Sequence, residues 1–426
     1  MTLLFVSLLS FLMLASCSFP GNGTTVVKPT QTSTTSPVST SYAFVRQGQL
    51  WVSLNGGSAT QASNFDYSSL GINPNIFWRQ PIWSPGDGFV AFTIRAIPSG
   101  IGGGGVCPPG LNYADSGALY ILNTSTQQLT RVAFPLNGNS QVDTNLLNGY
   151  WEHIFWEDAT HLLAFGSFPQ ISNSGGLYRY DISGKILKEV IPESSLNQSG
   201  AGTLYPGELW FPLRYSSGQL YYQVIEADPQ NSKYIKFVIY RHSTLHPELS
   251  NTKVLDSGSE PIPDAGPNTL PCPPFTNPGW DISPDGKQLV AQMLSTDSAG
   301  HVSSSIRVLH LTDGLLITLF GQLSSHVLTG DVTLTWAPDN QSVLLSSWSS
   351  QVGPYSAILL QPAQTQAYPP DTTGHVVWRP DSSAFALFQF QQYSLGLNNS
   401  AQVYMFVPGK SNRQLLLTDA QNFAWG

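Results

Sequence analysis

The sequence predicts an all-β fold, a single β-propeller of four-stranded blades that occupies residues 42–426. Three observations predict it. One phrase, an apolar strand, a turn rich in Pro, Asp and Gly, and a second apolar strand, occurs six times in order along the chain. Its copies recur at intervals of about 40–50 residues, which is the length of a propeller blade. Partial copies stand at the two ends of the region, where together they would complete one more blade.

Each phrase predicts a hairpin, because Pro, Asp and Gly favour the turn that joins two antiparallel strands. The six phrases are Trp83–Phe92, Trp156–Phe165, Trp210–Tyr222, Ile282–Ala291 with Trp280 just before it, Trp336–Leu345 and Trp378–Leu387. A third strand is predicted after most of them, at Ala118–Leu122, Gly176–Tyr180, Ile235–Tyr240, Ile306–His310 and Gln402–Phe406. A short fourth strand follows, as at Gln128–Val132 and Arg413–Leu417. Four antiparallel strands make one blade.

The two ends of the region predict how the ring closes. Segments Tyr42–Val45, Leu50–Ser53 and Ser58–Gln61 have the pattern of the second to fourth strands of a blade. Asn422–Gly426 has the pattern of a first strand. Pairing of the C-terminal strand with the N-terminal strands would close the ring and leave no open blade. The count is then seven blades, with six or eight as alternatives because the third phrase is irregular.

The repeated phrases, such as Ile282-Ser-Pro-Asp-Gly and Trp336-Ala-Pro-Asp-Asn, resemble the WD-like Pro-Asp repeats of TolB-type periplasmic propeller proteins. The resemblance covers essentially all of residues 42–426. It is specific for the fold and says little about function, since propellers host many unrelated activities. TolB-type proteins dock envelope partners, so the resemblance implies a protein partner.

The N-terminal residues predict export. Leu3–Ala15 is an apolar run of signal-peptide length, too short to span a bilayer. It ends in Leu14-Ala15-Ser16-Cys17, which resembles a bacterial lipobox and implies that Cys17 is lipidated. The run lacks a preceding Lys or Arg, and an ordinary signal peptide with an incidental Cys is the alternative. Residues 18–41 are rich in Ser, Thr and Pro and predict a flexible tether.

The composition sets limits on partners. Charged residues make up 10% of the chain and the net charge is −8, which argues against a nucleic-acid partner because that role needs clustered Lys and Arg. No later run is long and apolar enough to span a membrane, so the lipid would be the only membrane contact. We expect an extracytoplasmic monomer, anchored to a bacterial membrane at the periplasm or cell surface.

Two cysteines remain after Cys17, and both are followed by two prolines: Cys107 and Cys272. An exported protein favours their pairing as a disulfide, with two free thiols as the alternative. They lie in the long insertions Arg95–Ser116 and Ser257–Gly279. In the blade scheme these insertions and Asn64–Gln80 reach the same face of the ring. The pair would thus tie two long connections together over the channel mouth.

Motifs for catalysis are missing from the sequence. It has no Gly-x-Ser-x-Gly elbow and no calcium loop. His242 and His246 have metal-compatible spacing only on a helix, and their position between a strand and a proline favours a turn. Gly102–Gly105 lacks the Lys of a phosphate loop. Asp285, Asp339 and Asp381 lie in the repeated turns, where Asp has a structural role. The sequence therefore predicts no cofactor and no metal.

The sequence thus favours non-catalytic binding or scaffolding, with an envelope protein, a peptide or a glycan at the loop-rich face. Function is usually carried by loops on a rigid scaffold, and Trp, Tyr and Arg suit binding anchors. The candidates are Trp78, Arg79, Tyr113, Trp151, Glu152, His153 and Phe275, with ordinary packing at the strand ends as the alternative. Two other functions stay open: a propeller glycosidase or lyase with a carboxylate site at the channel mouth, and a purely structural surface protein.

Overall fold

Hairpin repeats should give sheets whose neighbouring strands are consecutive in the chain, and six of the seven blades have that order. The computed structural model describes residues 40–66, 76–78, 80–96, 116–132, 134–136, 139–143, 150–168, 174–196, 209–228, 230–231, 233–261, 278–299, 301–323, 332–347, 357–362, 364–368, 376–390 and 401–426. We number the blades in chain order and their strands from the central axis outward.

The first three blades, each from first to fourth strand, run as follows. Blade 1 contains Ile76–Trp78 with Ile82–Trp83, then Phe89–Ala96, Ser116–Asn123 and Leu129–Val132. Blade 2 contains Tyr150–Trp156, His161–Phe168, Ser174–Asp181 and Ile186–Pro192. Blade 3 contains Leu209–Ser216, Gln219–Ala227, Tyr234–Ser243 and Thr252–Pro261.

The next three blades follow the same order. Blade 4 contains Trp280–Ile282, Gln288–Thr296, Val302–His310 and Leu316–Leu323. Blade 5 contains Val332–Trp336, Val343–Ser347, Ala357–Gln361 and Gln364–Tyr368. Blade 6 contains Val376–Trp378, Phe385–Phe390, Ala401–Phe406 and Arg413–Ala420. The insertion predicted at Ser257–Gly279 is shorter in the structure, because the fourth strand of blade 3 continues through Ser257 to Pro261.

Blade 7 is shared between the two ends of the chain. Its first strand is Asn422–Trp425, and the others are Tyr42–Arg46, Gln49–Ser53 and Thr60–Gln61. Tyr42 pairs with Trp425, and Val45 pairs with Asn422. The amide of Gly426 also donates to the carbonyl oxygen of Ser41 at 2.9 Å. The predicted seven-bladed ring and its closure by the C-terminal strand are both confirmed.

The repeated tryptophans lie between neighbouring blades. Trp83, Trp156, Trp336, Trp378 and Trp425 are each the last residue of a first strand. The indole of Trp156 donates to the carbonyl oxygen of Ile82 at 3.2 Å, and that of Trp378 donates to Thr335 at 3.4 Å. In both cases the acceptor is on the first strand of the preceding blade. The repeat therefore supplies a bulky side chain and, in these two blades, a hydrogen bond between blades.

Blade 3 departs from the predicted pattern. Trp210 lies near the beginning of its strand rather than at the end, where it pairs with Gln223. The pairing register then shifts between Trp210 and Arg214. Pro212 lies inside this interval and has no N–H to donate to the neighbouring strand, which accounts for the irregularity. A two-residue turn at Ser217 and Gly218, both with positive φ, closes the hairpin.

Further elements were not predicted from the sequence. They are the third strand of blade 5, a hairpin of Phe134–Leu136 with Asn139–Asp143, and a short helix at Glu193–Leu196. The fourth strands of blades 2, 3, 4 and 6 also carry an extra residue at the same point of the pairing with the third strand: Val190, Val254, Leu319 and Leu416. Such bulges raise the local twist of an edge strand. Among the described residues, no helix is long and apolar enough to cross a bilayer.

Candidate functional site

The two faces of the ring are built differently. In blades 1 to 6 the connections from first to second strands are short hairpin turns. These turns, together with those between third and fourth strands, define the turn face. The connections after the second and fourth strands define the opposite face, which we call the connection face. The longest of these, 97–115 and 262–279, link Ala96 to Ser116 and Pro261 to Trp280. Cys107, Cys272, Tyr113 and Phe275 belong to them and lie outside the described residues, as do Cys17 and Arg79.

The remaining predicted binding residues lie on first strands. Trp78 pairs with Ile94 in blade 1, and its side chain is outside the described part. Trp151 pairs with Gly166 and His153 with Phe165, so Glu152 between them is the extra residue of a bulge. Bulges often re-aim side chains near functional sites. The structure places the side chain of His153 half-buried and does not describe that of Glu152.

Trp151 is a packing residue in this structure. Its side chain is 1% exposed and lies in a cluster with Ala91, Leu119 and Tyr178. The rings of Trp151 and Tyr178 meet edge to face, with centroids 5.7 Å apart. Because the cluster joins blades 1 and 2, the indole stabilises the contact between them. For Trp151 the structure therefore favours ordinary packing over a role as a binding anchor.

A partly buried ion pair and a backbone hydrogen bond link three first strands. Arg214 of blade 3 donates from Nε to Oδ1 of Asp281 of blade 4 at 2.5 Å. The amide of Trp336 in blade 5 donates to Oδ2 of the same carboxylate at 2.8 Å. Burial raises the pKa of Asp281, while Arg214 and the Trp336 amide act in the opposite direction. Asp281 thus holds three neighbouring blades together.

A second ion pair lies within blade 2 and is bonded to blade 3 by a tyrosine. Arg179 binds the carboxylate of Glu157 through both Nε and Nη2, the latter at 2.6 Å from Oε1. The hydroxyl of Tyr215 donates to the same Oε1 at 3.3 Å. A glycosidase of the usual kind needs one carboxyl as acid and a second as base or nucleophile. Glu157 and Asp281 are each bound by an arginine, so neither carboxylate is free to act as the acid or the base of such a reaction.

The predicted structural role of the turn aspartates is visible in their hydrogen bonds. Oδ1 of Asp285 accepts from the amide of Lys287 at 3.1 Å, and Oδ1 of Asp339 accepts from that of Gln341 at 2.9 Å. Oδ1 of Asp381 accepts from the amide of Ser383 at 3.0 Å. Each carboxylate closes its own turn.

These turns also bond to one another around the turn face. The hydroxyl of Ser216 in blade 3 donates to the carbonyl oxygen of Pro284 in blade 4 at 3.2 Å. The amide of Asp285 donates to Oδ1 of Asn340 in blade 5 at 3.0 Å. The amide of Asp339 donates to Oγ of Ser382 in blade 6 at 2.9 Å. Four consecutive blades are therefore joined, and the polar groups of their turns are used within the ring.

Toward the connection face, the interior carries polar side chains that the sequence analysis missed. They occupy one position in the second strands of four blades: Thr93, Gln223, Gln292 and Ser346. All four are at most 1% exposed. Gln292 is held by Ser304 at 3.1 Å and by the amide of Gly279 at 3.3 Å. The signal was present as a single polar residue interrupting each apolar second strand.

The other three residues at this strand position lack the hydrogen bonds that hold Gln292. In the part of the chain that the structure describes, Oε1 and Nε2 of Gln223, Oγ1 of Thr93 and Oγ of Ser346 have no hydrogen-bond partner. A buried polar atom without a partner costs about 1–3 kcal/mol. Natural sequences keep such costs mostly near functional or strained sites. These atoms place part of that cost in the half of the ring toward the connection face. The indole nitrogens of Trp83, Trp336 and Trp425, at the ends of first strands, carry another part.

The histidine pair does not converge on a common point. In the buried side chain of His242, Nδ1 lies 2.5 Å from Oδ1 of Asn251 and Nε2 lies 3.2 Å from the carbonyl oxygen of Pro247. His246 is exposed and lies 3.3 Å from Glu248. The two residues belong to a strand end and the turn that follows it, as the sequence predicted. Among the described residues, no group of three or more His, Cys, Asp or Glu side chains could hold a metal ion.

The ring defines a seven-bladed β-propeller. Among solved structures it is similar to the propeller domain of the trilobed protease from Pyrococcus furiosus, at 8% identity and a TM-score of 0.47, covering 90% of this chain and 95% of that one. It is similar to an oligogalacturonate lyase from Vibrio parahaemolyticus at 10% identity and a TM-score of 0.47, covering 90% and 85%. It is also similar to an acylaminoacyl peptidase from Pyrococcus horikoshii, at 9% identity and a TM-score of 0.46, covering 80% of this chain and 46% of that one.

The sequence itself matches no protein-family model and none of the curated proteins. At such low identities the structural likeness concerns the fold alone, which the strand pairing already establishes. The activities of those proteins are therefore not carried over to this chain.

Proposed function

We propose that this chain is a lipid-anchored extracytoplasmic propeller that acts as a non-catalytic binding or scaffold protein. Its partner, an envelope protein, a peptide or a glycan, docks on the connection face. One observation carries the proposal: the turns of blades 3 to 6 bond to one another, whereas the second strands hold a row of buried side chains toward the connection face, three of which the described residues leave unpaired.

The place where the chain enters the ring supports the same face. The amide of Asn55, in a turn of blade 7, donates to Oγ of Ser41 at 3.2 Å. Ser41 therefore lies beside a hairpin turn, on the side of the ring away from the long connections. The first described residues of the chain therefore join the ring at its turn face, and the connection face is free of this entry point.

The two remaining cysteines fit this arrangement. We propose that Cys107 and Cys272 form a disulfide that joins the connection after Ala96 to the connection after Pro261. Such a bond would reduce the conformational freedom of two long segments and lower the entropy lost when a partner binds. Alkylation of the exported protein under denaturing, non-reducing conditions tests it, because two modified cysteines would contradict the bond.

Site-specific photo-crosslinking tests the docking face. Benzoylphenylalanine would replace Tyr113, in the longest connection, in the full-length chain expressed in its source cells. The matched control carries the same residue at Lys410, in a turn between the third and fourth strands of blade 6. We expect a discrete adduct from position 113 and none from position 410, with mass spectrometry identifying the captured molecule.

Three results would count against the proposal. Equal adducts from both positions would remove the distinction between the faces. A lack of adducts at 113 together with turnover of a polysaccharide would favour the enzyme instead. Finally, a Cys17→Ala chain that still enters the membrane fraction with a fatty-acid label would contradict the anchor.

A further inference from the structure

The outer strand of blade 4 is an edge of unusual composition. It spans Leu316–Leu323 with the sequence Leu-Ile-Thr-Leu-Phe-Gly-Gln-Leu, which contains no charged residue and no proline. Three consecutive large apolar side chains at its beginning are exposed: Leu315 by 52%, Leu316 by 37% and Ile317 by 40%. Natural sheets usually protect such edges with charges, prolines or short strands.

The other outer strands follow that rule. Blades 2, 3 and 6 have outer strands of comparable length, and each carries charges close to its bulge: Lys188 and Glu189, Lys253, and Arg413. Blade 1 has a short strand containing Arg131. The outer strands of blades 5 and 7 are uncharged but short and mostly polar, at Gln364–Tyr368 and Thr60–Gln61. Among the described strands, the edge of blade 4 alone is long, apolar and uncharged.

We propose that this edge is where the chain pairs with a second copy of itself, strand to strand and antiparallel. The backbone of the edge is suited to such pairing. The carbonyl oxygen of Leu315 accepts from the amide of His310 at 2.8 Å, inside the hairpin. Because backbone groups alternate in direction along a strand, the N–H and C=O groups of Leu316 and Thr318 point outward. The bulge at Leu319 ends this regular run.

Self-pairing centred on Ile317 would be complementary. Leu316 would stand opposite Thr318 of the second copy, so that the outward backbone groups of both are paired. Ile317 would face Ile317 of the second copy, and Leu315 would face its Leu319. Two identical charged edges would bring charges close together, but this edge has none. Apolar and β-branched pairs of this kind stabilise antiparallel strands.

The number of long, apolar and uncharged edges among the described strands indicates that the partner at the blade 4 edge is a second copy of the chain. Among the described strands one edge is of this kind. A single edge used in the same way by both partners forms a closed two-fold dimer and cannot extend into a filament. The charged outer strands of blades 2, 3 and 6 disfavour edge pairing there. The regular run is only four residues long, Leu315–Thr318, so the dimer should be weak and concentration-dependent. It replaces the monomer expected from the sequence and does not depend on the proposed docking function.

Sedimentation of the full-length chain over a wide concentration range tests the proposal. The variant is Ile317→Lys, two residues before the bulge, where blade 2 naturally has Lys188. The matched control is Gln414→Lys, at the same position in blade 6. We expect a dimer of the unchanged chain at high concentration, loss of that dimer in Ile317→Lys, and no effect of Gln414→Lys. Circular dichroism and thermal unfolding of each variant establish that it is folded.

Hydrogen exchange then separates strand pairing from side-chain contact. In the unchanged chain, a peptide covering Leu315–Leu319 should exchange more slowly at high concentration than at low concentration. A monomer at every concentration would overturn the proposal, and so would a dimer of folded Ile317→Lys as strong as that of the unchanged chain. A dimer whose Leu316 and Thr318 amides gain no protection would overturn it as well.

Discussion

At Gly286, a turn of blade 4 meets a turn of blade 3. The residue has a φ of +69°, and a Cβ placed there would lie 2.9 Å from Oγ of Ser216 and 3.0 Å from Oγ of Ser217. Both the left-handed backbone and the close approach favour glycine. The Pro-Asp-Gly phrase thus has a reason beyond closing its own turn: glycine here lets two blades come into contact.

We therefore predict that Gly286→Ala lowers the free energy of unfolding by about 2–3 kcal/mol, from backbone strain and crowding together. The control is Gly86→Ala in blade 1, where φ is +81° and a Cβ would meet no atom within 4 Å. That change should cost only the backbone strain, about 1 kcal/mol. Denaturant unfolding of both variants measures the difference, and equal losses would show that the approach of the two turns is unimportant.

The lowered pKa of Asp158, in the turn after Trp156, leads us to predict that acid reduces the stability of the fold. Although burial acts to raise it, hydrogen bonds from Thr160 and His161 bring the pKa of Asp158 down to about 2. A carboxyl whose pKa is lower in the folded state stabilises the fold above its unfolded pKa of about 4 and loses that effect as the pH falls toward 2. Thermal unfolding between pH 5 and pH 2 should show this loss. Asp158→Asn should flatten the curve, modestly because the side chain is largely exposed.

At the scale of single elements, the first strands show why tryptophan recurs. Trp156 reaches the preceding blade with a hydrogen bond to Ile82, whereas Nε1 of Trp83 is buried without a partner in the described part of the chain. Trp83 instead packs against the C-terminal Gly426, where a Cβ would lie 2.9 Å from its ring. The same residue at the same strand position thus contributes packing in both cases and a hydrogen bond in one.

This contrast gives a matched pair of substitutions. Phenylalanine at either position keeps an aromatic ring and removes the indole N–H. Trp156→Phe should destabilise the protein by about 1 kcal/mol more than Trp83→Phe, because one hydrogen bond is lost and the carbonyl oxygen of Ile82 is left without its donor. Chemical denaturation of both variants provides the comparison. A larger loss of stability for Trp83→Phe would show that the volume of the ring, rather than the hydrogen bond, determines the destabilisation.

The hairpins could be predicted from sequence because their signals are local. A phrase such as Trp336-Ala-Pro-Asp-Asn contains both the strand end and the turn chemistry that follows it. The bulges at Val190, Val254, Leu319 and Leu416 could not be predicted, since they depend on the register against a strand many residues away. The same holds for the pairing of Arg214 with Asp281, which are neighbours only when blades 3 and 4 are side by side.

At the scale of the whole molecule, the ring depends on its last strand. Phe423 is 1% exposed and packs with Phe44 and Val377, which joins blade 7 to blade 6. Removing residues 422–426 would expose the strand Tyr42–Arg46 as an open edge. We predict a loss of more than about 3 kcal/mol of stability, the usual cost of deleting a buried phenylalanine side chain. The shortened chain should also self-associate through the new edge.

A synthetic peptide of residues 421–426 supplies the control for that truncation. If closure is what stabilises the ring, the peptide should raise the melting temperature of the shortened chain, with an increase that grows with the logarithm of peptide concentration above its Kd. A scrambled peptide of the same composition should have no effect. A shortened chain as stable as the full one would contradict the importance of closure.

The candidate site was less predictable than the fold. The sequence pointed to aromatic residues at strand ends, yet Trp151 is a core residue between two blades. The sequence analysis did not single out Gln223. A polar residue in an apolar strand can be recognised as buried without a partner only when the surrounding strands are known. Tyr113, Arg79 and Phe275 stay predictions, since they lie outside the described residues.

The shared blade also determines how the molecule would bear a load. Tyr42–Arg46 is an inner strand, hydrogen-bonded to Gln49–Ser53 on one side and to Asn422–Trp425 on the other. In antiparallel pairs these bonds run perpendicular to the strands. A pull on the N-terminus along the strand axis therefore shears two ladders at once, and many bonds must break together. Although Tyr42–Arg46 is the first strand that the structure describes, it is held on both sides and cannot be peeled away one bond at a time.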